Sequence, residues 1–151
     1  MLGTLNSEQI EQVLHQEAIG RIGCHADEKT YIVPITYAYD GQRLICHSTQ
    51  GMKIQMMQSN PEVCFEVEQI DNLANWRSVI AWGKYEELHG AAAQKAMALL
   101  VERVMPLIAS ATANLDHAEQ ALRQGKDYQP SPQAVIFSIY LSEKTGRFEK
   151  R

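Results

Sequence analysis

Residues 31–48, Tyr31-Ile32-Val33-Pro34-Ile35-Thr36-Tyr37-Ala38-Tyr39-Asp40-Gly41-Gln42-Arg43-Leu44-Ile45-Cys46-His47-Ser48, read as a β-hairpin. Tyr31, Val33, Ile35, Tyr37 and Tyr39 point one way, and Ile32, Pro34, Thr36 and Ala38 the other. That is the period of two of a strand. Pro34 has no N–H for a ladder, which predicts an edge or a bulge at that point. Asp40-Gly41 is a hairpin turn signal, and Arg43–Ser48 is the returning strand.

Other elements follow on both sides of the hairpin. Upstream, Asn6 and Gln9 form a capping box, with Leu5 and Ile10 placed as a hydrophobic staple. Ile10, Val13 and Leu14 carry a helical period that Gly20 closes. Ile19–Cys24 is a short strand. Downstream, Met52–Ser59 is a short helix stopped by Asn60-Pro61. Val63–Gln69 is a strand, Asp71–Asn75 a loop, and Trp76–Glu87 a long strand rich in β-formers. Gly90–Leu122 is helical, divided in two at Pro106. Arg123–Pro132 is a loop, Ala134–Leu141 the last strand, and Ser142–Arg151 a polar tail. About six strands with peripheral helices predict a mainly β chain, an antiparallel barrel in one domain spanning residues 1–151.

The composition is that of a globular protein, 45% hydrophobic and 21% charged over 151 residues. A chain this long buries a core without disulfides. The net charge is −4, without a lysine or arginine run, which argues against nucleic acid as a partner. Cys24, Cys46 and Cys64 include no C-x-x-C pair and read as reduced thiols, with a Cys24–Cys46 redox pair as the alternative. No signal-peptide pattern and no run of about 20 apolar residues is present, so the expected location is cytoplasmic, with no membrane partner. The five histidines show no metal-ligand spacing, and no metal site is expected.

The chemistry concentrates in Leu44-Ile45-Cys46-His47-Ser48-Thr49-Gln50-Gly51-Met52-Lys53-Ile54. A strand ends in two hydroxyl residues, a glycine turns the chain, and a helix starts with a lysine in its first turn. A helix N-terminus favours anions, so a cation there carries a small cost unless an anion is shared. Spacing alone leaves two readings open. One is a phosphate held by N–H groups, Lys53 and the Ser48 and Thr49 hydroxyls. The other is an ordinary surface helix with a solvated lysine.

A wider set of motifs falls in order along the chain. These are Val33-Pro34-Ile35-Thr36-Tyr37, Asp40-Gly41, His47-Ser48, Gly51-x-Lys53, Asn60-Pro61-x-Val63-Cys64-Phe65 and Ser78-Val79-Ile80-x-Trp82-Gly83, with Thr145-Gly146-Arg147 near the end. In this the sequence resembles the pyridoxamine 5'-phosphate oxidase-like superfamily of FMN-binding split barrels, nearest to its nitroimidazole-reductase-like branch. The resemblance implies an antiparallel six-stranded split β-barrel that forms a homodimer, with FMN in the cleft between subunits. It implies phosphate contacts at Ser48, Thr49 and Lys53, and a flavin ring along Val33, Pro34, Ile35 and Thr36 and the strand reaching His47. Ser78, Val79 and Trp82 complete the cofactor site from a neighbouring strand or the other subunit. His47, beside the flavin, is the candidate catalytic residue, positioning a substrate or donating a proton. Glu66 and Glu68 share a strand face and are read as meeting water or the partner, and Arg21 and Arg77 as possible extra positive charge.

The function implied is an FMN-dependent oxidoreductase acting on a small molecule such as a nitro-aromatic compound or a quinone. Alternatives are a non-catalytic flavin-binding or sensing module and a related barrel that binds haem. True pyridoxamine-phosphate oxidases carry a C-terminal segment with arginine and tryptophan, whereas no tryptophan follows Trp82 here. Activity on pyridoxine phosphate is therefore not expected.

Overall fold

A computed structural model describes residues 1–108 and 134–151. The elements run β1 (Leu2–Thr4), α1 (Ser7–Gln16), β2 (Ile19–Ala26), β3 (Lys29–Tyr39), β4 (Arg43–Thr49), α2 (Met52–Ser59), β5 (Glu62–Asn72), β6 (Asn75–Glu87), α3 (Gly90–Ile108) and β7 (Ala134–Glu149). The sheet order is β1-β7-β4-β3-β2-β5-β6, and β6 also pairs with β7. Strands β2 to β7 thus close into a six-stranded antiparallel barrel, which leaves few open edges. The added strand β1 lies beside the last residues of β7, Arg147 to Glu149.

Strand alternation sets the two faces. Ile22, Tyr37, Leu44, Phe65, Val67, Val79, Phe137 and Ile139 fill the barrel interior. Ala38, Ile45 and Ile136 face outward and are covered by Ala93, Ala96, Met97 and Leu100 of α3. Among the described residues no helix covers the outer face of β2, β5, β6 and the first half of β3, and Ile19, Ile32, Ile80 and Trp82 are exposed on it. No helix among the described residues is long and apolar enough to cross a membrane. The three thiols are free.

The Asp40-Gly41 hairpin turn forms as expected, although only Tyr37–Tyr39 pair with Leu44–Cys46 beside it. The Asp40 carboxylate accepts the N–H groups of Gln42 and Arg43, and Gly41 adopts φ +101°. The capping box of Asn6 and Gln9 is also present. Helix α1, however, ends at Gln16, and Gly20 is not its terminator. The C-cap Glu17 N–H donates to Val13, and the last carbonyls are met from elsewhere: the Tyr37 hydroxyl donates to Leu14, and the Arg103 guanidinium to His15 and Gln16. Tyr37 and Arg103 thus do the work of a C-terminal cap. Gly20 serves β2 instead, where a Cβ would lie 2.2 Å from the Phe65 ring.

Three further boundaries differ from expectation. The polar tail is strand: β7 runs on to Glu149, laddered to β6 on one side and β1 on the other. Its inward positions at the barrel end are Lys144 and Gly146, so no apolar alternation marks it. Lys144 is satisfied by Glu11 and the Tyr39 hydroxyl, and Gly146 lets Leu5 and Ile10 approach. The loop expected at 71–75 shrinks to Leu73 and Ala74, because Asp71, Asn72 and Asn75 extend the strands. Pro106 does not divide the described helix, since α3 continues through it to Ile108. The second helix expected up to Leu122 and the loop Arg123–Pro132 lie outside the described residues.

Candidate functional site

The barrel is split between β3 and β4. Their ladder holds only the pairs Tyr37–Cys46, Ala38–Ile45 and Tyr39–Leu44. Continued in register, Thr36 would face His47, Ile35 would face Ser48 and Pro34 would face Thr49, yet none of these pairs forms. Pro34, Ile35 and Thr36 ladder to β2, while His47, Ser48 and Thr49 ladder to β7. Pro34 supplies part of the cause, because it offers no N–H across the gap. The Tyr37 N–H points to the β2 side, where it donates at 2.9 Å to Ala18, the residue before that strand. By alternation, the backbone groups of Thr36 and the carbonyl of Pro34 point into the fork.

Helix α2 begins beside this fork. Its N-cap is Gly51, with no side-chain hydrogen bond to the first turn and no acidic residue in it. Lys53 is half-buried there and makes no hydrogen bond or ion pair among the described residues. Its charge is felt at two inward thiols on either side of β3, Cys24 and Cys46. Burial pushes both thiols up, and Lys53 pulls each back. Among the described residues, N–H donors without a side-chain cap and a cation without an ion pair thus follow directly on the end of β4 that does not ladder to β3. That set fits an anion carried on a flat ligand.

The predicted residues fall into three groups. Pro34, Thr36 and His47 turn their side chains to the outer face, around the fork. Thr49 is exposed at its end, and the Ser48 hydroxyl is buried and donates to the Thr49 carbonyl at 3.0 Å. Val33, Ile35 and Val79 face the barrel interior, with Ile35 and Val79 buried there, so only their backbones are available to a ligand. Ser78 and Trp82 sit on β6, three strand spacings from β3, and do not join the fork within one chain. Among the described residues there is no grouping of three or more His, Cys, Asp or Glu side chains able to hold a metal ion.

Trp82 instead walls a second feature, an outer-face cleft of about 520 Å³ lined by Arg21, Gly23, Ile32, Cys64 and Glu66. Arg21 lies 2.7 Å from Glu68 and 3.5 Å from Glu66, and Ser78 Oγ donates to Glu66 at 3.1 Å. Burial, then the hydrogen bond and charge of Glu68, pushes the Glu66 carboxyl up to about 7. The hydrogen bond from Glu66 holds Glu68 below the usual range. Arg21, expected only to add positive charge, and Glu66 and Glu68, expected to meet water or a partner, instead meet one another. The available signal was parity: Arg21, Glu66, Glu68 and Ser78 all fall on outward positions of paired strands.

The family model described as pyridoxamine 5'-phosphate oxidase matches residues 6–134. An uncharacterized protein of Rhizobium meliloti is 39% identical over 84 residues, 56% of each chain, so the alignment spans little more than half of that relative. Among solved structures, an FAD-binding protein of Mesorhizobium loti is 26% identical, with a TM-score of 0.72 over 99% of both chains. A 5-nitroimidazole antibiotic resistance protein of Bacteroides thetaiotaomicron is 18% identical, with a TM-score of 0.69 over 98% of this chain and 89% of that one, a likeness of fold. With the family model covering most of the barrel, this chain belongs to the pyridoxamine 5'-phosphate oxidase family.

Proposed function

We propose that the chain is a flavoprotein that holds FMN at the β3–β4 fork and uses it to reduce a small molecule. The observation that carries this reading is the fork itself: among the described residues, the backbone at Pro34 and Thr36 has no partner across the gap, beside the start of α2 without a side-chain cap and a Lys53 without an ion pair. In this reading the phosphate meets Lys53, Ser48, Thr49 and the α2 N–H groups. The ring lies along Pro34–Thr36 toward His47, with Val33 and Ile35 contributing backbone. The FAD-binding relative of Mesorhizobium loti supports a flavin as the ligand class. Bound flavin would supply the electron chemistry, while the protein binds, orients and excludes water.

The reading includes a homodimer. Ile19 is 64% exposed and Ile32 66%, on a face that α3 leaves bare. A second copy there would cover these side chains and bring its own Ser78 and Trp82 to the ring. His47, turned outward at the fork, would position the acceptor or supply its proton.

The experiment is purification without added cofactor. A yellow protein absorbing at ~450 nm, as any oxidised flavin holder does, is expected, with FMN as the mass released on denaturation. A colourless protein that takes up no added FMN would overturn the reading, and FAD as the released mass would correct the phosphate assignment. With flavin bound, His47→Ala is expected to keep the yellow colour and to slow reoxidation by a nitro-aromatic acceptor by about 10²-fold, the scale of a lost proton donor. An unchanged reoxidation rate would remove His47 from the reaction.

A further inference from the structure

At the end of the barrel that α1 closes, the interior face of the strands stops being apolar. On β6 the inward positions Ala81 and Val79 are buried, and the next one is Arg77. On β5 Val67 is followed inward by Gln69, and on β7 Gly146 by Phe148. Register sets these three side by side, since Arg77 pairs with Gln69 on one flank and with Phe148 on the other. Alternation turns them toward the space beside α1. That space is not filled. A cavity of about 400 Å³ remains, and Leu5 and Gln9 reach it from α1 and the turn before it. Its size is that of a small-molecule site, roughly 300–1,000 Å³.

Arg77 is half-buried and makes no side-chain hydrogen bond or ion pair among the described residues. Its guanidinium keeps its charge, so a cation stands partly desolvated without a protein acceptor. The carboxylates at the rim do not neutralise it. Glu149 pairs with Arg151 at 3.5 Å, and Asp71 is exposed, as is Lys150. Gln9 has a group to spare, because its Oε1 accepts the Asn6 N–H and leaves the NH2 to donate. The apolar wall is buried Leu5 and the Phe148 ring. That ring lies so close over Gly3 that a Cβ there would be 2.6 Å from it, which fixes the ring on one side.

The cavity is separate from the fork. His47 pairs with Ile136 near the start of β7, and Arg77 with Phe148 near its end. Arg77, expected to add positive charge to the flavin site, lines this cavity instead.

We propose that the cavity binds a small aromatic monocarboxylate. The carboxylate accepts two parallel N–H groups from Arg77 and a third from Gln9, and the flat body lies against Leu5 and Phe148. One negative charge suits one unpaired guanidinium, whereas a phosphate dianion is repelled by Asp71 and Glu149 at the rim. Such a ligand is additional to a flavin and independent of the flavin reading.

The test is calorimetric titration of the purified full chain with benzoate, benzyl alcohol and acetate. Benzyl alcohol keeps the ring without the charge, and acetate the charge without the ring. Saturable binding of benzoate is expected, with each of the other two weaker by roughly tenfold or more, about the loss of a charge-assisted hydrogen bond or a buried ring. Arg77→Gln is expected to weaken benzoate by roughly tenfold or more and to leave FMN affinity unchanged. Arg77→Lys keeps the charge but loses the paired donors, and is expected to fall between. Benzoate is expected to bind equally with and without FMN. No saturable benzoate binding, benzoate no tighter than acetate or benzyl alcohol, or an unchanged affinity in Arg77→Gln overturns the proposal. Competition between benzoate and FMN also overturns it, because the acid then sits at the fork. Should Arg77→Gln fail to fold, the three ligands and the competition on the wild type decide. Absence of FMN binding overturns the flavin reading and leaves this site standing.

Discussion

Gly83→Ala is expected to lose about 3 kcal/mol of stability or more, at the upper end for forcing one carbon into a packed site. A Cβ at Gly83 would lie 2.2 Å from the Tyr140 carbonyl oxygen and 2.9 Å from its carbon. Both are backbone atoms, so no rotamer change relieves the clash. The strands must separate, and they are β6 and β7, whose pairing closes the barrel. The register shifts at this point, because Trp82 pairs with Glu143 and Gly83 with Leu141. The residue left out, Ser142, ties its hydroxyl to the Trp82 carbonyl at 3.2 Å. Moving the seam therefore disturbs a bulge as well as a ladder. Urea unfolding measures the effect: with m of ~2 kcal/mol/M, the midpoint drops by ~1.5 M. Gly23→Ala, also on a barrel strand, is the control, since a Cβ there makes only ordinary contacts of 3.8 Å with Cys64. A Gly83→Ala midpoint within 0.3 M of wild type would show that the seam yields freely.

Much of this barrel is written locally. The alternation of Tyr31–Tyr39, the Asp40-Gly41 turn and the Asn6–Gln9 box are each decided by neighbours a few residues apart, and each forms as read. What local pattern misses are features that distant residues decide. Gly20 looks like a helix stop, yet its small size is required by Phe65 on another strand. The end of α1 has no terminator of its own because Tyr37 and Arg103 supply the donors. The second half of β7 looks like a tail because its inward positions carry a lysine and a glycine that only distant residues explain, Glu11 and Tyr39 for the one, Leu5 and Ile10 for the other.

The same distinction applies to the site. The helix start with Lys53 is a contiguous motif and is visible in the chain. The fork is not, because it consists of pairs that fail to form, and a strand pattern does not say with which neighbour each half will ladder. Pro34 was the one local sign, as a residue without a donor to give. The grouping of Arg21, Glu66, Glu68 and Ser78 needs the register of three strands, so parity alone could only place them on outward faces.

Lys53→Glu is expected to weaken FMN binding at least 100-fold, about 3 kcal/mol, while leaving the fold as stable as before or slightly more so. These opposite signs come from one position. For a bound dianion, the substitution removes a charge-assisted donor and adds a like charge at the same place. For the free protein the balance runs the other way. Lys53 makes no hydrogen bond or ion pair among the described residues, and it stands in the first turn of a helix without a side-chain cap. A carboxylate there interacts favourably with the helix dipole by roughly 0.3–1 kcal/mol. Lys53→Met separates the two parts, losing the attraction without adding repulsion, and is expected to fall between wild type and Lys53→Glu. The measurement is fluorescence titration with FMN and, in parallel, with riboflavin, which has the same ring and no phosphate. Riboflavin affinity is expected to change less than threefold in Lys53→Glu, because the lysine acts on the phosphate and not on the ring. If both ligands weaken equally, Lys53 shapes the fork as a whole. If neither weakens, the anion docks elsewhere, and the start of α2 is the ordinary surface helix that spacing alone also allowed.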